Sequence, residues 1–394
     1  MWDALIVGAG PAGSALASLL ADMGYAVLLV DGARFPRDKL CGEYLGPGCR
    51  RLLQQIGVLG MIEQAARPLR GMRVRSPGGA TFTAEFPPGL HGLAIRRLHL
   101  DHLLLEHARR NRIECLQGFR VERLVFAGNR VCGVEGLHHQ RGREVLPARL
   151  VIGADGRNSV VARRLGVFRW HRAHRKMALC VHYEGVSLES DYAEVYIGRL
   201  GYGILNPLPG GLANVNLVGD LENFAPARGR VEDCFGRWLR TLPALEERLM
   251  AARPVEDVRA LGPLAHHAAR ASFDGGLLVG DAAGFYDPFT GEGIGMALRS
   301  AEMAAGVVRR ALERGDCSAQ FLRQYDVERA AQFRGRFRLE AAIQAVIGRP
   351  WLANLIAGRL RLRPEAAGEL LRMTGGLVPP RMTRCLKLVG RVIA

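Results

Sequence analysis

Residues Asp3 to Asp31 constrain the chain more than any other stretch. Ala4-Leu5-Ile6-Val7 is a short, wholly apolar run of the kind buried on both faces of a parallel sheet. Gly8, Gly10 and Gly13 follow in GxGxxG spacing, and the Ala-rich stretch from Ser14 to Met23 has helical periodicity. Gly24 stops that helix, and Ala26 to Val30 predicts a second strand that ends in Asp31. Each glycine has a task. Gly8 permits a tight turn, Gly10 lets a pyrophosphate approach the backbone, and Gly13 lets the helix lie close to the sheet. The helix N-terminus offers free N–H groups to phosphate, and Asp31 is placed to accept hydrogen bonds from an adenosine ribose. On this motif the dinucleotide is NAD or FAD.

The chain has 394 residues, enough for a large core and two domains. Its 48% hydrophobic and 23% charged content is that of a globular protein. Eight scattered cysteines form no CxxC pair or zinc spacing, which predicts reduced thiols, no metal site and a cytoplasmic setting. The first apolar run belongs to the nucleotide motif and lacks a basic leader, so no signal peptide is expected; nor is a spanning helix. Net charge is +16, yet only Lys39, Lys176 and Lys387 among the 54 basic residues are lysine. No nucleic-acid motif accompanies that arginine excess, and no nucleic-acid partner is expected.

Gly32 to Gly48 is dense in glycine, proline and charge, the texture of a functional loop. Helices are expected over 51–56 and 97–110, and a hairpin from 72–74 and 81–86. Strands are expected at 113–116, 120–126, 131–135, 144–146 and 149–152. A second glycine turn, Gly153-Ala154-Asp155-Gly156-Arg157-Asn158-Ser159, follows the last strand. From Lys176 to Asp220 the pattern alternates, predicting an antiparallel sheet with one face toward a cavity. Cys234 to Met250 reads as one helix. Leu277-Leu278-Val279 leads into a third glycine-acid turn, GDAAGFYDPFTGEG at 280–293, followed by a helix over 294–313 and a largely helical remainder. His138-His139 and His266-His267 read as surface pairs.

With three glycine-acid sites in this order, the sequence resembles the single-component flavin monooxygenases and geranylgeranyl reductases of the p-hydroxybenzoate hydroxylase fold. The resemblance spans most of 1–330 and implies FAD, with NADPH or NADH as reductant. It implies an α/β fold: a Rossmann-like FAD-binding domain from 1–70, 95–170 and 260–330, an inserted antiparallel-sheet substrate domain from 71–94 and 171–259, and a helical C-terminal segment, 331–394. By resemblance Gly8, Gly10, Ala12 and Gly13 hold the pyrophosphate, Asp31 the ribose, and Arg97, in R-x-x-L-D, the phosphates or ribityl chain. Val121 lies against adenine, and Asp155 matches a motif linked to FAD and nicotinamide binding, although Asp155 also suits a helix cap. Asp281 takes the ribityl hydroxyls, Pro288 lies near the flavin face, and Gly293, Ile294 and Gly295 meet the pyrimidine edge. Cys41, in Lys39-Leu40-Cys41-Gly42-Glu43, resembles a cysteine-glycine segment beside the ring, in a packing rather than a redox role.

The leading expectation is an NAD(P)H-dependent monooxygenase that hydroxylates a lipophilic aromatic or polyketide-like small molecule. Glu43, Tyr44 and Pro288 are its candidate catalytic residues, with His182 and Tyr202 as further cavity candidates. The alternative is a reductase of isoprenoid double bonds. Gly201-Tyr202-Gly203-Ile204-Leu205-Asn206-Pro207 lacks the tryptophan and phenylalanine that geranylgeranyl reductases carry there. A third reading is an FAD-bound protein without turnover. Residues 331–394 hold twelve basic residues against three acidic ones, interleaved with apolar residues at helical spacing. Those helices either pack on the rest of the protein or give it a peripheral contact with an anionic membrane.

Overall fold

The computed structural model describes residues 1–187, 191–224 and 230–393, so 188–190, 225–229 and 394 of the predicted segments lie outside the described residues. Trp2–Val7 and Val27–Asp31 pair in parallel, with Ile6 opposite Leu29. Between them, Pro11–Asp22 is helical and starts on proline, whose missing N–H is no loss at a first position. Every residue from Pro11 to Leu20 is buried, because the helix is enclosed by the sheet and the helices Arg97–Arg110 and Gly293–Arg314. Small side chains permit that approach. A Cβ on Gly13 would stand 1.8 Å from the Gly8 carbonyl oxygen, so only glycine closes the helix onto the turn.

The fold is α/β. Its first sheet runs in the order Ser272–Phe273, Gly276–Leu278, Gly142–Gly153, Trp2–Val7, Val27–Asp31, Glu114–Gln117, parallel except for the first pair. The two strands predicted at 144–146 and 149–152 are one. Up to Pro147, Gly142–Gly153 pairs antiparallel with Arg130–His138; from Ala148 it pairs parallel with Trp2–Val7. Proline has no N–H to give to a ladder, and here it marks the change of partner.

The second sheet is eight-stranded. Its path runs Arg253–Pro254, Lys176–Glu184, Leu212–Asp220, Gly201–Pro207, Tyr192–Ile197, Gly71–Arg75, Thr81–Glu85, with Arg259–Leu261 also on Lys176–Glu184. Alternation divides its faces. Leu179, Val181, Val215 and Leu217 pack under the helices Val231–Leu239 and Pro243–Leu249. Those two replace the single helix expected over 234–250, because Pro243 cannot continue a helix but can begin one. The opposite face is shared. Ala178, Cys180 and Asn216 look into a cleft against the first sheet, whereas Val74, Phe82 and Val195 look toward the C-terminal helices.

Gly92–Ala94 joins Tyr44–Leu45 and Arg67–Leu69 in a small sheet instead of the large one. Residue 331 falls inside the 29-residue helix Ala319–Ile347, which Gly335 does not interrupt and no proline breaks before Pro350. Pro350–Arg361, Pro364–Thr374 and Met382–Ile393 follow, the first two again starting on proline. Among the described residues no helix is long and apolar enough to cross a membrane. His138 and His266 are buried, with only their neighbours nearer the surface, because consecutive strand residues face opposite ways.

Gly13→Ala forces a methyl into the Gly8 carbonyl. It should destabilise the protein by about 1–3 kcal/mol in urea unfolding; an unchanged midpoint would show that this contact does not limit the packing.

Candidate active site

Two chambers meet at the carboxyl ends of the parallel strands, where open α/β sheets bind ligands. The first, about 380 Å³, is lined by Gly8, Asp31, Arg37 and Val121. The second, about 360 Å³, runs under the large sheet and is lined by Cys41, Tyr44, Asp281, Pro288 and Ile294. Gly10, Lys39, Ala154 and Asp155 line both, so the two form one elongated cleft.

Positive charge converges at the waist. A Cβ on Gly10 would lie 3.8 Å from a guanidinium nitrogen of Arg37 and 3.8 Å from one of Arg97. Arg97 is buried and paired with Asp101 through two bonds, Nε to Oδ1 at 2.8 Å and Nη2 to Oδ2 at 2.6 Å. Burial works against its charge, but Asp101 and Cys41 outweigh burial and raise its pKa. Arg37 reaches the same Asp101 at 2.9 Å. Burial, aided by Arg97 and Arg37, lowers the Lys39 pKa against the pull of Asp281 and Asp101. Asp31 ties the turn, accepting from the Ala9 and Ala33 N–H groups at 2.8 Å each. An open glycine turn faced by three cationic side chains fits a pyrophosphate.

The loop after Lys39 is held by one carboxylate. Glu43 takes a left-handed conformation (φ 57°), and only 1% of its surface is exposed. Its Oε1 accepts the Arg97 backbone N–H at 2.8 Å; its Oε2 lies 2.7 Å from His182 Nε2 and accepts Asn214 Nδ2 at 2.8 Å. Both oxygens are therefore engaged, and Glu43 anchors the loop rather than presenting an acid to a substrate. Asn206 Nδ2 donates to the Gly42 and Glu43 carbonyls, and Asn214 Nδ2 to the Cys41 carbonyl. Tyr44 is buried along the cleft, its hydroxyl without a hydrogen-bond partner among the described residues and its pKa raised by burial. Tyr44 closes on Gly291, where a Cβ would stand 2.6 Å from its ring.

The other end of the second chamber is the start of Gly293–Arg314. Gly293 and Ile294 line it, with Asp281, Pro288 and Ala12 nearby. Gly295 does not line it: it turns toward Cys49, whose sulfur a Cβ built on Gly295 would meet at 3.3 Å. Asp155 caps the following turn, its Oδ2 accepting from Val160 and Val161 at 2.6 and 3.2 Å, while Oδ1 is buried without a partner among the described residues. Residues 288–291 form a partition. Pro288 and Gly291 face the cleft, whereas Phe289 and Thr290 line a further chamber of about 240 Å³ between the large sheet and the C-terminal helices. Among the described residues no charged side chain lines that chamber.

The structure thus brings Gly10, Ala12, Cys41, Glu43, Tyr44, Arg97, Asp155, Asp281, Pro288, Gly293 and Ile294 to the second chamber, and Gly8, Asp31 and Val121 to the first. Gly13 packs behind the turn. Sequence reasoning missed Arg37, Lys39, Asn206, Asn214 and Asn216. The asparagines had a signal, since Asn214 and Asn216 alternate through an otherwise apolar strand. The loop was marked, but nothing distinguished Arg37 and Lys39 within it.

A family model described as "FAD binding domain" matches residues 1–336. The chain is similar to digeranylgeranylglycerophospholipid reductase 1 of Methanopyrus kandleri, 32% identical over 390 residues, which cover 95% of this chain and 97% of that protein. It is also similar to digeranylgeranylglycerophospholipid reductase 1 of Methanococcoides burtonii, 29% identical over 359 residues, 88% of this chain and 83% of that one. Among solved structures it is similar to a flavoprotein/dehydrogenase from Cytophaga hutchinsonii, with TM-score 0.86, 21% identity and coverage of 100% and 98%.

Burial opposes a charged His182, but the hydrogen bonds and charges of Glu43 and Glu256 outweigh it and raise its pKa above 6.5. A raised folded value gives stability that is complete below the unfolded pKa and lost as pH rises through the folded one. His182→Gln should therefore cost about 1.5–3 kcal/mol in mildly acidic buffer and progressively less above neutrality. A cost that stays flat across that range in urea unfolding would contradict the charged pair.

Proposed function

The chain belongs to the FAD binding domain family and is an FAD-dependent oxidoreductase, and from that premise we propose that it saturates carbon–carbon double bonds of a polyprenyl lipid. The observation that carries this reading is the uncharged chamber across the 288–291 partition from the cleft, which suits a long apolar chain and offers nothing to a polar one. The digeranylgeranylglycerophospholipid reductases that it resembles along most of its length support it.

When bound, FAD supplies the two-electron chemistry, with NADPH or NADH as the proposed reductant. The chain's residues position and insulate it. Gly8, Gly10 and Gly13 would give the pyrophosphate a backbone ledge, faced by Arg37, Lys39 and Arg97. Asp31 and Val121 would meet the adenosine end, and Asp281 the ribityl hydroxyls. The helix start at Gly293 and Ile294 would oppose the negative charge of a reduced ring with its N–H groups and dipole. Glu43, through Asn214 and His182, would keep the Cys41–Tyr44 loop in one place, with the Tyr44 side chain as part of the cleft wall.

A second reading is hydroxylation of a lipophilic aromatic or polyketide-like molecule. Its support is in the substrate sheet, where Ile204 and Asn206 stand at positions that are tryptophan and phenylalanine in the geranylgeranyl reductases. Oxygen uptake matched to NAD(P)H oxidation would mark that reading; turnover under argon marks the first.

Asp281→Ala should weaken FAD binding by roughly 1–3 kcal/mol, read as flavin lost on dilution; wild-type retention would remove Asp281 from the site. Ala357 lines the apolar chamber. Ala357→Trp should lower kcat/KM at least about tenfold for a twenty-carbon prenyl chain, and far less for a five-carbon one. Equal losses for both lengths would take the chain out of that chamber.

A further inference from the structure

The helix Met382–Ile393 has two apolar faces, and only one is used. Leu388 and Val392 are buried and, with Val389, form part of the wall of the apolar chamber. Met382, Leu386 and Val389, at i, i+4 and i+7, are exposed, Leu386 by 63%. The neighbouring helix Pro350–Arg361, packed against it, exposes Trp351 by 66% and Leu355, and Leu362 just beyond is also exposed. Arg349, Arg361, Arg381, Lys387 and Arg391 are exposed among these apolar residues. Val389 belongs to both sets, half exposed and on the chamber wall, so the chamber reaches the surface at this basic, apolar rim.

We propose that this rim docks the protein on the surface of an anionic phospholipid bilayer, with the side chains of Met382, Leu386, Trp351 and Leu355 at the headgroup boundary and the basic residues against lipid phosphates. The charge selects the occupant. Residues 331–394 hold twelve basic residues against three acidic ones, so a second copy seated here would set like charges together, while an anionic leaflet neutralises them. Interleaved basic and apolar residues on a short helix are the pattern of a helix lying in the interface. Docked so, the chamber would open toward the phase in which a polyprenyl lipid dissolves. This goes beyond the catalytic reading, and its test measures binding alone.

The test is co-sedimentation of the FAD-bound protein with vesicles of phosphatidylcholine, alone or with one-third phosphatidylglycerol, at about 0.02 M and about 0.5 M salt. Binding should need the anionic lipid and fall at high salt. M382E/L386E should abolish it with flavin absorbance unchanged; Lys387→Glu, a fully surface change, should weaken it at least about fivefold. No binding to anionic vesicles at low salt would overturn the proposal, as would equal binding to phosphatidylcholine alone or wild-type binding by both variants. A dimer in lipid-free buffer that M382E/L386E converts to monomer would assign the rim to a second copy instead.

Discussion

The Glu43 carboxylate joins three parts of the chain. It binds the first N–H of the helix that carries Arg97, the imidazole of His182 and the amide of Asn214. The helix belongs to the dinucleotide half and the other two to the large sheet, so one buried side chain ties the cleft's two walls together. Losing the carboxylate would leave buried donors unpaired on both walls, at about 1–3 kcal/mol for each. The left-handed backbone at Glu43 is sustained because its surroundings determine it from several sides. Arg97 then inherits its place from Glu43 through the backbone and from Asp101 through the side chain, and the cationic waist follows.

The same economy holds at the other wall. Asp287 is buried and accepts from the Tyr202 hydroxyl at 2.6 Å, Gln344 at 2.7 Å and the Phe289 N–H at 3.0 Å, with His174 at 3.0 Å. Thr290 donates to Glu340 on the long helix, whose carboxyl is pushed up to about 8 by burial and the nearby Asp287. Arg336, one turn earlier, pairs with Glu292. The partition between the polar cleft and the apolar chamber is thus pinned to the large sheet and to the long C-terminal helix. That helix is part of the site, and a truncation at residue 331 would cut through it.

What the sequence made legible was local. The turn from Gly8 to Asp31 could be read because each glycine acts on its immediate neighbours. The Glu43 network could not, since its partners lie 54, 139 and 171 residues away. Asp155 matched a cofactor motif and also suited a helix cap, and a cap is what its Oδ2 makes. Gly295 fitted a motif, but one step along a helix turns a residue by about 100°, enough to send it from the cleft to Cys49. The C-terminal stretch read plainly as helical. The chamber beneath it did not, because its walls come from three sheet strands and four separate helices whose arrangement no spacing encodes.

The central claim is that a flavin cleft and an uncharged chain chamber, separated by the 288–291 partition, act on one lipid. The most direct measurement is the product mass when the reduced enzyme is given a polyprenyl lipid under argon. The account predicts a gain of two hydrogens for each double bond, with no oxygen incorporated. Unchanged lipid under argon, with an oxygen atom added only in air, would contradict it.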